Sequence, residues 1–221
     1  MNLRVLAMSL VAAAFACAVH AQEMPAPTFV VGDRWTYRET DLLTKLEVAQ
    51  ITETVTAANA TEFWIDARRV GRTWWRGDAV KRAFREQFAY SEGAPDQRGK
   101  VIASSEGGCA YPWTLKVGTT FECVDNTTWP NGWKVRYELK YTVEAGETIE
   151  TPAGKFETLR VVAKGYANNE TNGSVSRHER IVWLAPAVKR ELKHEIRTFL
   201  KNGQLFKVEG RELLAFSAGT S

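Results

Sequence analysis

Few side chains in these 221 residues are suited to making and breaking bonds. Three histidines and three cysteines are the whole stock of imidazoles and thiols. A metal site needs three or four ligands in suitable geometry, and nothing arrays further ligands around His178 or His194. No metal and no cofactor are expected. Cys109 and Cys123 lack a C-x-x-C spacing and have no histidine nearby, so an even pair in an exported chain reads as a disulfide. Acyl transfer by a serine would need a positioned base, as in the G-x-S-x-G elbow, which is absent. Glycoside hydrolysis would need two carboxylates across a cleft, and among 26 acidic residues no spacing singles out a pair. A non-catalytic protein is expected, with a carbohydrate- or acyl-active enzyme as the last of three readings.

The elements that would carry these residues are easier to read. In Trp133–Glu144, Trp133, Val135, Tyr137, Leu139, Tyr141 and Val143 fall on one side of an extended chain, and the polar residues fall on the other. That period of two marks a β-strand with one face on a core. Similar runs occupy 29–40, 45–56, 62–70 and 175–184, and 79–90 is expected to be a strand. Residues 91–108 read as a loop because of Gly93, Pro95, Gly99 and Gly107-Gly108. Cys109–Asp125 reads as a short hairpin stapled by the disulfide, and Pro152-Ala153-Gly154 as a three-residue hairpin loop.

Residues 1–21 have one charge, Arg4, then an apolar run, then Val19-His20-Ala21 with small residues at −3 and −1. This is the layout of a secretory signal peptide, so a periplasmic or secreted location is expected. Acylation at Cys17 is the poorer reading, because Ala14-Phe15-Ala16 does not fit a lipid-attachment box. Residues 22–221 then form a single antiparallel β-domain. Without Arg4, 28 basic residues face 26 acidic ones, a balance that gives no electrostatic case for nucleic acid.

The last hairpin permits a register argument. A two-residue Asn202-Gly203 turn would set Ile196 opposite Glu209 and His194 opposite Arg211. A three-residue loop ending at Gly203 sets Ile196 opposite Val208 and Val188 opposite Phe216. Unpaired core-facing charge costs several kcal/mol, so the second register is expected, with an Arg190–Glu212 pair on the inner face and His194 close by.

The segments VGDRWTY (31–37), TPAGKF (151–156) and WLAPAVKRELKHE (183–195) resemble a largely uncharacterised group of exported bacterial all-β proteins, in which a TPAG-F hairpin precedes a W-AP-V junction. The resemblance covers mainly residues 28–40 and 110–216. It implies one strongly curved antiparallel sheet, an open or half barrel like that of periplasmic carriers of lipids and lipoproteins.

Such a sheet needs its concave face filled by side chains or by a guest. The expected function is non-catalytic binding of an apolar or amphipathic ligand, lipid or lipoprotein-like. The face would comprise Tyr137, Leu139, Tyr141, Val143, Leu192, Ile196, Val208 and Leu214, with Arg190, His194 and Glu212 as its polar groups. His178, among Arg177, Glu179 and Arg180, is expected on the surface. The second reading is an envelope module binding protein or glycan through Trp64, Trp74, Trp75, Trp113 and Trp129. Arg68, Arg69, Arg72, Arg76, Lys81, Arg82 and Arg85 would allow peripheral contact with anionic membrane, although a solvated sheet face is the plainer reading.

Overall fold

The computed structural model describes residues 23–69, 71–78, 83–90, 98–106 and 108–220. The leader with Cys17 lies outside the described residues, as do Lys81, Arg82 and the side chains of Arg72 and Trp74.

Alternating sequence becomes strand almost throughout. In chain order the strands are β1 (Glu23–Met24), β2 (Arg34–Asp41), β3 (Leu46–Ala58), β4 (Glu62–Arg69), β5 (Gly71–Asp78), β6 (Ala83–Tyr90) and β7 (Arg98–Ser105). Then follow β8 (Leu115–Lys116), β9 (Thr120–Thr128), β10 (Lys134–Thr151), β11 (Gly154–Asn169), β12 (Ser174–Ala185), β13 (Arg190–Phe199) and β14 (Leu205–Ser217). All but β1 and β8 form one sheet, and every pairing is antiparallel.

That sheet closes into a barrel of twelve strands, not the expected open or half barrel. Closure depends on β7, whose residues read as loop from their glycines. Its bond to β9 is slight: Ser104 and Ser105 face Thr128 and Thr127, and no other register pair joins the two strands. Closing the ring removes both exposed edges that an open sheet would have left.

The Cys109–Cys123 disulfide forms, with Cα atoms 5.3 Å apart. It does not staple a hairpin, because β8 pairs with β1 and not with β9. Glu23 and Met24 lie beside Lys116 and Leu115, and Met24 and Leu115 are buried among Tyr141, Val143 and Leu159. The 151–156 turn also differs slightly. Thr151 pairs with Gly154, so the loop is the two residues Pro152 and Ala153, and Gly154 takes a φ of 126° that glycine allows.

The last hairpin has the loop that was expected and the register that was rejected. Leu200 donates its N–H to Gln204 across Lys201–Gly203, and Gly203 has φ 84°. Phe199 faces Leu205, as a three-residue loop requires, but Thr198 faces Lys207. Phe206 is therefore the extra residue of a bulge. From there on Ile196 faces Glu209 and His194 faces Arg211. Val188 leaves the sheet altogether, in a 3-10 turn spanning Pro186–Val188.

Two apolar clusters fill much of the interior. One gathers Trp35, Tyr37, Ile51, Val55, Ile65 and Leu213. The other gathers Leu139, Tyr141, Val143, Val161, Val182 and Leu184. Outside, Lys140, Lys164, Glu179 and Arg197 stand side by side across four strands. A charged outer row is the reverse of the apolar band around a membrane-spanning barrel.

The sequence segments 31–37 and 183–195 meet in space. Lys189 Nζ reaches both oxygens of the buried Asp33, at 2.7 and 2.8 Å, and Trp35 Nε1 donates to the Val188 carbonyl at 2.8 Å. Asp33 also accepts from the N–H groups of Val30 and Gly219. These motifs fasten the start of the barrel to its end.

Candidate functional site

Inside the barrel, charge is concentrated in one network. Glu53 on β3 is fully buried, and its two carboxylate oxygens take Arg190 Nη1 and Arg211 Nη2. Arg211 Nη1 also reaches Glu191 at 3.0 Å, and His194 Nδ1 lies 3.4 Å from the same carboxylate. The Arg211 guanidinium stacks over Tyr37 at 3.9 Å, and that phenol donates to the Glu191 carbonyl at 3.0 Å.

Burial alone would raise the pKa of Glu53, but Arg190 and Arg211 outweigh it and hold the carboxyl below its ordinary value. Burial likewise opposes ionisation of Glu191, where His194, Arg211 and Arg190 win by a wide margin. Two carboxylates clamped in ionised form have no proton to give, so they do not supply the general acid that a glycosidase requires. The network ties β3, β13 and β14 together.

A separate hollow of about 330 Å³ opens beside the β7–β9 seam. Trp75, Phe84, Ala103 and Leu139 make its wall largely apolar. Trp129 lines it too, yet is 41% exposed, so it stands where the hollow meets solvent. Asp125 accepts hydrogen bonds from Ser105 Oγ (2.6 Å), Thr127 Oγ1 (3.0 Å) and the Gly108 N–H (3.1 Å). The last of these anchors the loop that carries Cys109.

Arg180 on β12 enters the same hollow. It stands opposite Ala163, whose small side chain leaves room for it. Its Nε is buried without a hydrogen-bond partner, and among the described residues it joins no ion pair. Burial disfavours its charge, against which act the phenols of Tyr141, Tyr111 and Tyr137 and, more weakly, Glu191. The net effect raises the pKa of Arg180 above the ordinary arginine value, so it stays protonated.

Two residues along β12, His178 is buried, not on the surface as expected. Its ring packs edge-on to Tyr137 at 5.5 Å, and its Nε2 has no partner. Burial first, then the charge of Arg180, lowers its pKa to about 4, so the imidazole is neutral near pH 7.

The residues expected on one concave face are distributed among several places. Tyr137 and Leu139 line the hollow, and Tyr141 packs behind it, stacked on Phe121 at 4.8 Å. Leu192 is core, and it is the extra residue of a bulge opposite Trp183 and Leu184. His194 and Ile196 lie in a second, strongly charged hollow of about 490 Å³ with Glu39, Asp41, Arg69 and Glu209.

Val208 and Glu212 alternate to the opposite face from His194 and Arg211, because the Phe206 bulge moves them there. Leu214 is itself a bulge residue. The expected Arg190–Glu212 pair does not exist: Arg190 is held by Glu53, and Glu212 pairs with Arg38 at 2.6 Å. Of the basic run, Arg68 pairs with Asp66, Arg69 with Glu39, and Arg76 with Glu86. Of the tryptophans, Trp64 is buried, Trp75 is half-buried and Trp113 packs on Tyr111.

The sequence reading passed over Arg180 and Asp125, and it set His178 on the surface. The signal was there for two of them. His178 and Arg180 share parity with Val182 and Leu184 on an alternating strand, so they had to point inward with them.

The geometry defines a closed antiparallel β-barrel with a charge network and a mostly apolar hollow. No protein-family model matches the chain, and no curated protein matches it. The fold is shared with solved structures. A candidate lipoprotein from Parabacteroides distasonis ATCC 8503 matches with a TM-score of 0.56 and 12% identity, over 88% of this chain and 99% of its own. A candidate exported protein with a YmcC-like fold, from Bacteroides fragilis NCTC 9343, matches at 0.54 and 13%, over 89% and 99%. At such identities the likeness is one of fold alone.

Proposed function

We propose that this chain is an exported, non-catalytic binding protein that takes an apolar or amphipathic small molecule into its barrel. The observation that carries the reading is the hollow beside β7 and β9. Its roughly 330 Å³ falls within the range of about 300–1,000 Å³ usual for ligand pockets, and its wall is mainly aromatic and aliphatic. Export fits the leader, the disulfide, and the description of the two structural neighbours as exported protein or lipoprotein. Handling of lipid or a lipidated segment is the role that best uses such a hollow.

Titration calorimetry with octanol, comparing the unaltered protein with Ala103→Trp, tests this reading. Ala103 is buried and lines the hollow, so an indole there should occupy it. Saturable binding that weakens at least about tenfold in the variant is expected. No binding, or binding indifferent to the substitution, would overturn the proposal.

A second reading, an interaction module of the envelope, has one observation in its favour. Trp129 and Trp133 flank the β9–β10 turn and are 41% and 47% exposed. Loss of binding to isolated envelope material in a Trp133→Ala variant, with octanol binding intact, would favour it.

A further inference from the structure

We propose that Arg180 is the counter-ion for an anionic headgroup, so that the ligand of the hollow is an amphiphile with a carboxylate or phosphate end. This rests on the reading of the hollow as a binding site, and goes further by naming the ligand's charge. The other arginines inside the barrel have counter-charges. Arg190 and Arg211 share Glu53, and Arg211 also has Glu191. Arg180 alone is turned into a cavity with no carboxylate at ion-pair distance among the described residues.

Asp125 lines the same hollow but does not pair with Arg180, and it is engaged at the seam by Ser105, Thr127 and the Gly108 N–H. Arg180 lines the hollow, and beside its buried Nε the guanidinium carries two Nη groups as a fork of donors. That fork fits the two oxygens of a carboxylate or phosphate. Around it stand the phenols of Tyr137 and Tyr111, whose burial raises their pKa, so they stay neutral near pH 7 and bring no competing anion. An unpaired guanidinium in apolar surroundings costs stability unless something compensates it. A bound oxyanion would do so, with its tail along Leu139, Trp75 and Phe84 towards the mouth at Trp129.

The test uses octanoate, octyl phosphate, octanol and octylamine on the full mature chain at neutral pH, followed by calorimetry. At least one of the two anions should bind about tenfold or more tightly than octanol, and octylamine more weakly than octanol. Carboxylate against phosphate selectivity identifies the headgroup. Arg180→Met should remove the anion advantage, so that octanoate and octyl phosphate bind no more tightly than octanol, while Arg180→Lys should keep part of the advantage. If the methionine variant does not fold, the lysine variant and the selectivity of the unaltered protein still decide.

A second readout is the His178 imidazole, followed by NMR titration. Bound octanoate should raise its pKa from about 4, and octanol should not. Octanol and octanoate binding alike would overturn the inference and leave the hollow as a neutral site. Binding by none of the four would overturn the underlying reading as well.

Discussion

The most informative single substitution is Glu53→Gln. It preserves shape and removes the one charge shared by Arg190 and Arg211, leaving two buried guanidinium groups with only Glu191 between them. Removing one member of a buried ion pair costs about 3–5 kcal/mol, because the remaining charge loses its partner without regaining water. Glu53 has no exposed surface, and the Arg211 side chain is 8% exposed, so solvent does little to soften the loss. For a domain of this size the melting temperature should fall by about 6–20 °C.

The pH dependence has a definite sign. The folded pKa of Glu53 is lowered from its ordinary 4.5. Its contribution is therefore fully present above that value and is lost as pH falls through the folded pKa. Urea unfolding followed by circular dichroism should show the full difference near pH 7, with the two proteins converging below 4.5. Glu212→Gln is the control. Its pair with Arg38 is substantially solvent-exposed, 29% and 38% by side chain, and should be worth at most about 1 kcal/mol. A Glu53→Gln cost below about 1 kcal/mol, or a difference that does not shrink in acid, would refute the reasoning.

Asp33→Ala should destabilise by about 3 kcal/mol or more, because it strands Lys189 and leaves the Gly219 N–H without its acceptor; urea unfolding measures it. Cys109→Ser with Cys123→Ser should cost about 3 kcal/mol, the closure entropy of a loop with a sequence separation of 14, and thermal melts with and without reductant check it. His178→Phe should flatten the stability curve on its acid side. The folded imidazole titrates near 4 and the free one at 6.5. The unaltered protein should therefore lose about 3 kcal/mol, at 1.36 kcal/mol per pKa unit, as pH falls from 6.5 to 4. Unfolding curves across that window test it, and an unchanged slope in the variant would contradict it.

Antiparallel all-β structure was legible because alternation in segments such as 133–144 directly encodes which side chains face inward. Closure was not. It turns on β7, where Gly99 and neighbouring glycines mask a strand whose pairing with β9 is two residues long. No local pattern specifies so short a contact.

The register error at the last hairpin has one physical origin. The argument treated charge facing the core as unpaired, whereas the bulge at Phe206 delivers Arg211 to Glu53 and Glu191. Glu53 lies 158 residues away in sequence from its partner, a contact that alternation along one strand cannot reveal. Leu214 was misplaced for a related reason, since it is the extra residue of a bulge. Within the candidate site, Tyr137 and Leu139 share one parity and both line the hollow. His178 obeyed the same parity but was read as surface because its sequence neighbours are charged, and Arg180, one of those neighbours, was given no role.

The central claim is that the hollow receives an amphiphile with its charged end at Arg180. A crystal structure of the protein with octanoate addresses it most directly. The account predicts electron density for the tail between Leu139, Trp75 and Trp129, with carboxylate oxygens about 2.7–2.9 Å from the Arg180 Nη atoms. Density confined to the outer surface, or a hollow filled only by water at saturating octanoate, would contradict it.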